Sequence, residues 1–318
     1  MTEWGQDNTP TEIIDLHSDQ FTCNGLPDFK KDMVNGVAGI VNGVPMVCGG
    51  SIYKKGVISD DTDVCFVLRN KEWMTIDHRL RNPGMHFGRG NVVVDDQIFV
   101  SGGWQDLNDW PNEPALEETY FMGENTQSNY HGYMPFKAYD HCNVLLNDTH
   151  ILQTGGAIKF GEREASKTTY FFDFSLKNWT QGPDMIGGRR EHGCSQVLLG
   201  GKQIVFVAGG RSTSDGAYWS YQLKTVEYLD MKNIEMGWRK TINLPEAHCP
   251  LAMITSLDNR KAFIINDKTV IWAMVCDEPL PERCYFTDQE GSGRLAMGRL
   301  EPIVLPISES LVEELCSE

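Results

Sequence analysis

The chain is poor in basic charge, in long apolar stretches and in targeting signals. Its 318 residues carry 28 Lys and Arg against 44 Asp and Glu, and this acidic balance argues against nucleic acid or an acidic membrane surface as the main partner. No apolar run reaches the roughly 18 residues of a membrane span, and the opening MTEWGQDNTP does not resemble a signal peptide. We therefore expect a chain without a membrane span, with a partner that is neutral or basic.

Motifs for nucleophilic, metal and phosphate chemistry are also missing. The sequence contains no G-x-S-x-G, no HExxH, no G-x-x-x-x-G-K-[ST] and no acidic calcium loop. Residues 291–296 (GSGRLA) fit a loose dinucleotide pattern, but no strand-to-helix pattern surrounds them. The sequence therefore predicts a protein that is not an enzyme and that uses no cofactor.

A glycine pair recurs along the chain at nearly constant spacing. The four pairs begin at Gly49, Gly102, Gly155 and Gly209, at intervals of 53, 53 and 54 residues. Each pair ends two apolar segments that flank a short turn, which is the pattern of a β-hairpin. An aromatic-bearing segment follows each pair, and a Trp follows that segment in three of the four units. Repeats of about 50 residues built on hairpins are typical of the blades of a β-propeller.

The order of apolar strand, Gly-Gly, loop, aromatic strand and Trp resembles the kelch repeat, and the resemblance covers nearly the whole chain. It implies an all-β, kelch-type β-propeller of four-stranded blades. Because repeat folds run longer as one unit, we expect a single domain over residues 1–318, with residues 1–10 disordered. A fifth blade has Asn266-Asp267 at the position of the glycine pair. These two residue types tolerate left-handed backbone, so the turn can survive there.

The two ends of the chain are expected to form a sixth and last blade together. Residues 11–27 look like the third and fourth strands of a blade, and residues 297–316 can supply the first and second. Six blades are therefore predicted. Alternatively, the tail is a short helix capped by Ser308, with Leu311, Val312 and Leu315 on one face.

The blade arrangement also places the nine cysteines. Two pairs join neighbouring strands of one blade and a third ties the chain ends, which leaves three free thiols. The expected disulfides are Cys48–Cys65, Cys276–Cys284 and Cys23–Cys316. Invertebrate secreted kelch-like proteins, which the chain resembles, have a similar arrangement, and an extracellular location is therefore slightly favoured. The alternative is a cytosolic protein with nine buried thiols.

Long connections are all expected on one face of the ring, because the second-to-third-strand loops and the blade-to-blade connections leave the same end of antiparallel blades. Loops held by a rigid scaffold often bind, so we predict a non-catalytic module that binds a protein partner there. The candidate contact residues are Trp104, Asp106, Asn108, Trp110, Arg189, Arg190, Arg211, Tyr218 and Trp219.

Two of these groups have alternative interpretations. Tryptophans beside carboxylates in the loop that begins at Trp104 suit a protein hot spot or a sugar platform, or the rings fill space above the neighbouring blade. Arg189 and Arg190 resemble positions where kelch adaptor domains hold acidic peptides. A cytosolic kelch-type substrate-receptor domain is therefore a further hypothesis for the whole chain.

Four histidines, His86, His141, His192 and His248, precede first strands, which line the channel of a propeller. Converging imidazoles could bind zinc or copper, so a metal- or carbohydrate-dependent enzyme or lectin at the channel mouth is the second hypothesis. The histidines are a whole blade apart and provide no local ligand pair. A packing and hydrogen-bonding role is therefore favoured for them.

Two N-glycosylation sequons begin at Asn147 and Asn178. Both fall in predicted turns between neighbouring strands, on the face opposite to the long loops. A glycan at either position would leave the predicted binding face open. We expect the protein to be a monomer.

Overall fold

The computed structural model describes residues 11, 13, 26–29, 33–54, 57–81, 92–104, 115–126, 129–157, 165–213, 220–249, 251–256, 258–266, 271–288 and 305–316. The predicted disorder of residues 1–10 lies outside them.

The regular secondary structure of the described chain is strand, except for one short 3₁₀ turn at Ile234–Met236 and one helix, α1, at Glu309–Cys316. The strands are β1 (Met33–Val34), β2 (Val37–Val41), β3 (Val44–Cys48), β4 (Ser51–Lys54), β5 (Val57–Asp61), β6 (Val64–Arg69), β7 (Glu72–Arg79), β8 (Val93–Val94), β9 (Gln97–Ser101), β10 (Glu118–Met122), β11 (Asn129–Tyr133), β12 (Cys142–Asn147), β13 (His150–Thr154), β14 (Thr169–Asp173), β15 (Asn178–Gln181), β16 (Gly193–Leu199), β17 (Lys202–Ala208), β18 (Arg211–Thr213), β19 (Ser220–Gln222), β20 (Val226–Asp230), β21 (Arg239–Lys240), β22 (Leu251–Thr255), β23 (Ala262–Asn266), β24 (Ile271–Cys276) and β25 (Cys284–Asp288). No helix in this part of the chain is long and apolar enough to cross a membrane.

The protein is an all-β propeller of four-stranded antiparallel blades, as the sequence predicts. In chain order the blades are β2-β3-β6-β7, β8-β9-β10-β11, β12-β13-β14-β15, β16-β17-β20-β21 and β22-β23-β24-β25. We number them blades 1 to 5. The first strands of neighbouring blades lie against one another, as β12 does with β16 and β16 with β22. Two small sheets, β1-β4-β5 and β18-β19, extend from blades 1 and 4.

The core lies between the blades, because blades 2, 3 and 4 each bury both faces against their neighbours. Between blades 2 and 3, for example, Phe99 and Phe121 pack with Ile151 and Phe172 in one cluster. All four side chains are at least nine-tenths buried. A strand that is buried on both faces needs apolar residues at consecutive positions. This explains the nearly continuous apolar runs before the glycine pairs.

The prediction of six blades is wrong for the described residues, which form five. The tail is helical where strands were expected, and the alternative interpretation of a helix is confirmed. Ser308 Oγ accepts a hydrogen bond from Leu311 N at 3.3 Å, and Leu311 and Leu315 are buried. A capped start and an apolar stripe with helical spacing outweigh the strand pattern there.

The two chain ends nevertheless meet, on the face of blade 1 that points away from blade 2. The buried residues of this cluster include Ile13 and Phe29 from one end and Leu311 and Leu315 from the other. They pack with Trp73 of β7, whose Nε1 donates a hydrogen bond to Thr11 Oγ1 at 3.0 Å. Residues 14–25 and 289–304, which the predicted last blade needs, lie outside the described part of the chain.

Two of the three predicted disulfides are present. Cys48–Cys65 and Cys276–Cys284 each join residues that are directly opposite on neighbouring strands of one blade. Cys316 is also disulfide-bonded; the partner predicted for it, Cys23, lies outside the described residues.

The prediction of three free thiols is wrong, because Cys142 and Cys194 form a disulfide that was not expected. It joins the first strands of blades 3 and 4, with the two Cα atoms 6.0 Å apart. Cys249 is the free cysteine of the described chain, and it is buried.

Candidate functional site

The glycine pairs of blades 2, 3 and 4 fasten the start of the long loop to the connection that enters the next blade. In blade 3 both glycines have left-handed backbone, with φ of 61° at Gly155 and 98° at Gly156. Gly155 N donates to Thr168 O within the blade, and Gly156 N donates to Arg189 O in the connection to blade 4. A Cβ on Gly155 would lie 2.3 Å from that same carbonyl oxygen. The close approach explains why glycine is used at this position.

The residues that begin and end each long loop pair with each other, and we call this pairing the base of the loop. Trp104 bridges to Ala115, and Ala157 bridges to Ala165, while β4-β5 and β18-β19 form the bases in blades 1 and 4. The loop tips lie outside the described residues, and with them the candidates Asp106, Asn108, Trp110, Tyr218 and Trp219. The structure therefore fixes where these loops begin and end, on the face that the sequence predicts.

Trp104 is described, and it is only 6% exposed. Its ring packs in a small cluster with Ala115, Tyr139 and Ala157. Tyr139 and Ala157 belong to blade 3, so the ring covers the neighbouring blade. This is the alternative interpretation given for the tryptophan, a space-filling role.

A cluster of four charged side chains lies where blades 3 and 4 meet on the long-loop face. Arg190 and Arg211 are directly opposite each other, joined by a backbone hydrogen bond in each direction. Arg211 is 2.8 Å from Glu191 Oε2, and Arg190 is 3.4 Å from Asp140 and 3.5 Å from Glu191. Two carboxylates thus balance two arginines that would otherwise repel each other. We call these four residues the rim cluster.

The backbone conformation of Asp140 and Glu191 orients the two carboxylates of the rim cluster. Asp140 and Glu191 occupy the same position in successive blades, and both have φ of 54°. Glu191 N donates to Asp140 O, and Leu251 N in turn donates to Glu191 O. These bonds connect the starts of three successive blades. Left-handed backbone at two acidic residues is uncommon and points to a constraint imposed by the surrounding structure.

The free thiol of Cys249 lies beside the rim cluster. Burial raises the pKa of this thiol, Arg211 offsets part of that rise, and Glu191 adds to it. At neutral pH the side chain of Cys249 is therefore the protonated thiol and not the reactive thiolate. Arg211 itself is about one-third exposed, which makes it the most accessible member of the rim cluster.

Arg189 was predicted to contact a partner, but the structure places it in the interior. Its side chain is 0% exposed and its guanidinium is 2.5 Å from Glu227 Oε1. It also donates to the backbone oxygens of Gly209 and Thr225 at 3.0 and 3.1 Å. In this arrangement the guanidinium is directed into blade 4, away from the surface.

The histidines connect neighbouring blades. His141 Nε2 lies 2.8 Å from Ser101 Oγ of blade 2, and His192 Nε2 lies 2.8 Å from Thr154 Oγ1 of blade 3. Burial lowers the pKa of His141 to about 3, so its imidazole is neutral at physiological pH. The same pairing in two successive blades indicates a repeated packing role.

His248 differs from these two, because it occupies the position of Arg189 and pairs with Glu246 at 3.2 Å. His86 lies outside the described residues. Within the described ranges no three His, Cys, Asp or Glu side chains are close enough to hold one metal ion.

Both sequon asparagines lie in exposed turns of blade 3, on the face opposite to the long loops. Asn147 ends β12, and Asn178 begins β15. Asn147 Oδ1 accepts hydrogen bonds from Thr149 N at 2.9 Å and from Thr149 Oγ1 at 2.8 Å. Their location therefore agrees with the turns assigned to them from the sequence.

Comparison with known proteins identifies the fold alone. No protein-family model matches the sequence, and no curated protein matches it. Solved structures do match; one of them, reported as "Structure of YjhT", has a TM-score of 0.70 with 12% sequence identity, over 86% of this chain and 90% of that chain. At this level of identity the likeness carries no information about activity or ligand.

Proposed function

We propose that this chain is a non-catalytic, kelch-type interaction module that binds a protein partner through the long-loop face. The observation that carries the proposal is the way this face is built. The glycine pairs and the rim cluster hold the bases of the long loops to a rigid ring, and rigid scaffolds with variable loops are a common design for binding. A chain with a formal charge of −16 favours a neutral or basic partner.

An extracellular location is part of the proposal. Disulfides form and persist in oxidising compartments, and three lie in the described chain with Cys316 in a further one. This supports the secreted alternative over a cytosolic receptor domain. Glycans at Asn147 and Asn178 would agree with it. Expression in a secretory host should give a mass that falls on enzymatic deglycosylation, and an unchanged mass would contradict glycosylation of the two sites.

The test is capture of partners from extracellular fluid of the native source, quantified by mass spectrometry. The wild-type protein is compared with a variant in which residues 105–114 are replaced by a Gly-Ser segment of equal length, and with Arg211→Ala. Leu176→Ser serves as the control, because Leu176 is 69% exposed in a turn on the opposite face. We expect a partner that is lost with the first two variants and kept with the control. A partner lost only with the control would place the binding face on the other side of the ring.

A further inference from the structure

The contacts between blades 2 and 3, between blades 3 and 4 and between blades 4 and 5 can be compared position by position. Each contact contains five equivalent positions, and the residue types at these positions change from one contact to the next. Between blades 2 and 3 they are Ser101, Thr119, His141, Asn143 and Gln153. Between blades 3 and 4 they are Thr154, Thr169, His192, Cys194 and Val207. Between blades 4 and 5 they are Ala208, Val226, Leu251, Met253 and Ile264. The equivalence follows from the glycine pairs and the strand registers. The positions are all polar in the first contact and all apolar in the last.

The five polar residues between blades 2 and 3, which we call the polar layer, face one another. Asn143 Nδ2 donates to Ser101 Oγ at 3.0 Å, and that oxygen is 2.8 Å from His141 Nε2. Thr119 is directly opposite Ser101, and Gln153 is directly opposite Asn143. Cross-strand partners share a face of the sheet, so all five side chains lie between the two blades. None is more than 2% exposed.

Five polar atoms of this layer have no hydrogen-bond partner among the described residues. They are Thr119 Oγ1, His141 Nδ1, Asn143 Oδ1, Gln153 Oε1 and Gln153 Nε2. Each buried polar atom without a partner costs more than a typical hydrogen bond contributes, and five together would approach the whole stability of an ordinary domain. A folded propeller with this layer therefore requires something polar to bind there.

The chemistry of the five atoms restricts the ligand to a small neutral molecule. Asn143 Oδ1 and Gln153 Oε1 accept, Gln153 Nε2 donates, and a hydroxyl and an imidazole can be matched to either role. No residue of the layer carries a charge, so an ion would be buried without a counter-charge. Because every side chain is enclosed, an extended organic ligand does not fit the observed burial. A molecule that both donates and accepts, and that makes about three hydrogen bonds, meets these requirements.

We propose that the polar layer is a closed binding site for ordered water, and that about two molecules occupy it. These water molecules connect Thr119 Oγ1 and His141 Nδ1 with the side-chain amides of Asn143 and Gln153, and so join blades 2 and 3 by hydrogen bonds. The contact between blades 4 and 5 needs no such site, since its five positions are apolar and belong to one core cluster.

The neighbouring contact provides a matched control within the same chain. Thr169 is equivalent to Thr119, but its hydroxyl donates to Pro183 O at 2.8 Å. The positions of Asn143 and Gln153 are taken there by Cys194, which is in a disulfide, and by Val207. Thr119→Val and Thr169→Val therefore make the same substitution, at a site with bound water and at a site without it.

The experiment combines a crystal structure that resolves ordered water with magnetic relaxation dispersion, which counts long-lived internal water in solution. The triple variant Thr119→Val, Asn143→Met, Gln153→Ile copies the contact between blades 4 and 5. Relative to wild type it should lose about two long-lived waters, together with the crystallographic waters of the layer. Equal counts, or a wild-type layer whose side chains pair with one another and hold no water, would overturn the proposal.

The single variants keep the test decisive if the triple variant does not fold. Thr119→Val removes one partner of the bound water, so we expect lower occupancy or a shorter residence time for it. Thr169→Val should leave the polar layer unchanged. The opposite pattern, or no change with either variant, would contradict water bound at Thr119.

Discussion

Arg189 and Glu227 form an ion pair inside the propeller, with 2.5 Å between Arg189 Nη2 and Glu227 Oε1 and neither side chain more than 1% exposed. Glu227 also accepts the backbone N–H groups of Ile186 and Gly187 at 2.7 and 3.1 Å. A carboxylate in the third strand of blade 4 thus holds Ile186, Gly187 and Arg189 of the connection that enters this blade. The pair fixes the segment that leads directly to Arg190 and Glu191 of the rim cluster.

Breaking this pair should be strongly destabilising. We expect Arg189→Ala to lower the free energy of unfolding by about 3–5 kcal/mol, because it leaves the Glu227 charge buried with its main partner removed. Urea denaturation followed by tryptophan fluorescence measures the change. The control is Asp184→Ala, which breaks the exposed pair with Lys167 and should cost less than about 1 kcal/mol. Similar losses for both variants would show that the buried pair has no special role.

The buried imidazole of His141 predicts a pH dependence. Its pKa is lowered to about 3 by burial, whereas the unfolded chain binds the proton near pH 6.5. Between these values the unfolded state holds one more proton than the folded state. The contribution of His141 is therefore complete above pH 6.5 and is lost progressively on acidification, by about 1.4 kcal/mol per pH unit.

The comparison variant for this slope is Ser101→Ala with His141→Leu, which copies Ala208 and Leu251 at the equivalent positions between blades 4 and 5. Denaturation curves at several pH values between 3 and 7 should show a shallower decline for the variant than for the wild type. Parallel declines would mean that His141 takes up its proton in the folded state.

Removing the disulfide between blades 3 and 4 should lower the free energy of unfolding, because the unfolded chain then gains conformational entropy. Cys142 and Cys194 are 52 residues apart in the sequence, and a loop of that length corresponds to about 4 kcal/mol of closure entropy. Cys142→Ser combined with Cys194→Ser should therefore unfold at a clearly lower urea concentration. Thiol titration of the denatured, unreduced protein tests the bond itself, because removing two bonded cysteines leaves the number of free thiols unchanged. A double variant with two fewer free thiols than the wild type would contradict the bond between Cys142 and Cys194.

Gly155 tests the close contact between a glycine pair and the next blade. Gly155→Ala should destabilise by more than Gly201→Ala, although both positions have positive φ. An added Cβ meets a backbone oxygen at Gly155 but has nothing within 4 Å at Gly201. The second variant therefore reports left-handed strain alone, about 1–2 kcal/mol. Equal losses in thermal unfolding would mean that the connection to blade 4 shifts freely.

The repeat made most of the fold predictable. Constant spacing of the glycine pairs, together with the turns before them, located the hairpins, and Asn266 of the fifth blade does stand at the end of its second strand. The two disulfides within blades followed from strand order alone. The sequence does not decide between a helix and a strand at the C-terminus, because a short apolar segment suits either.

Contacts between blades could not be read from the repeat in the same way. The bond from Cys142 to Cys194 joins positions that are offset by one residue, since facing strands of neighbouring blades present opposite faces. Arg189 and Arg190 are adjacent in sequence, and only the structure shows that the first points inward. One signal was present: Glu227 is an acidic residue between the apolar Val226 and Tyr228 of the third strand, which indicates a buried partner.

The chemical differences between successive blade contacts have a consequence for assembly. One pair of equivalent positions is filled differently in each contact: by Ser101 with His141, by Thr154 with His192 and by Ala208 with Leu251. If blades paired out of order, a polar surface from one contact would lie unmatched against an apolar surface from another. Repeat proteins are prone to domain-swapped and out-of-order pairing while they fold. Distinct chemistry at each contact lets a blade discriminate its correct neighbour from the other copies, so that the ring closes in the order of the chain.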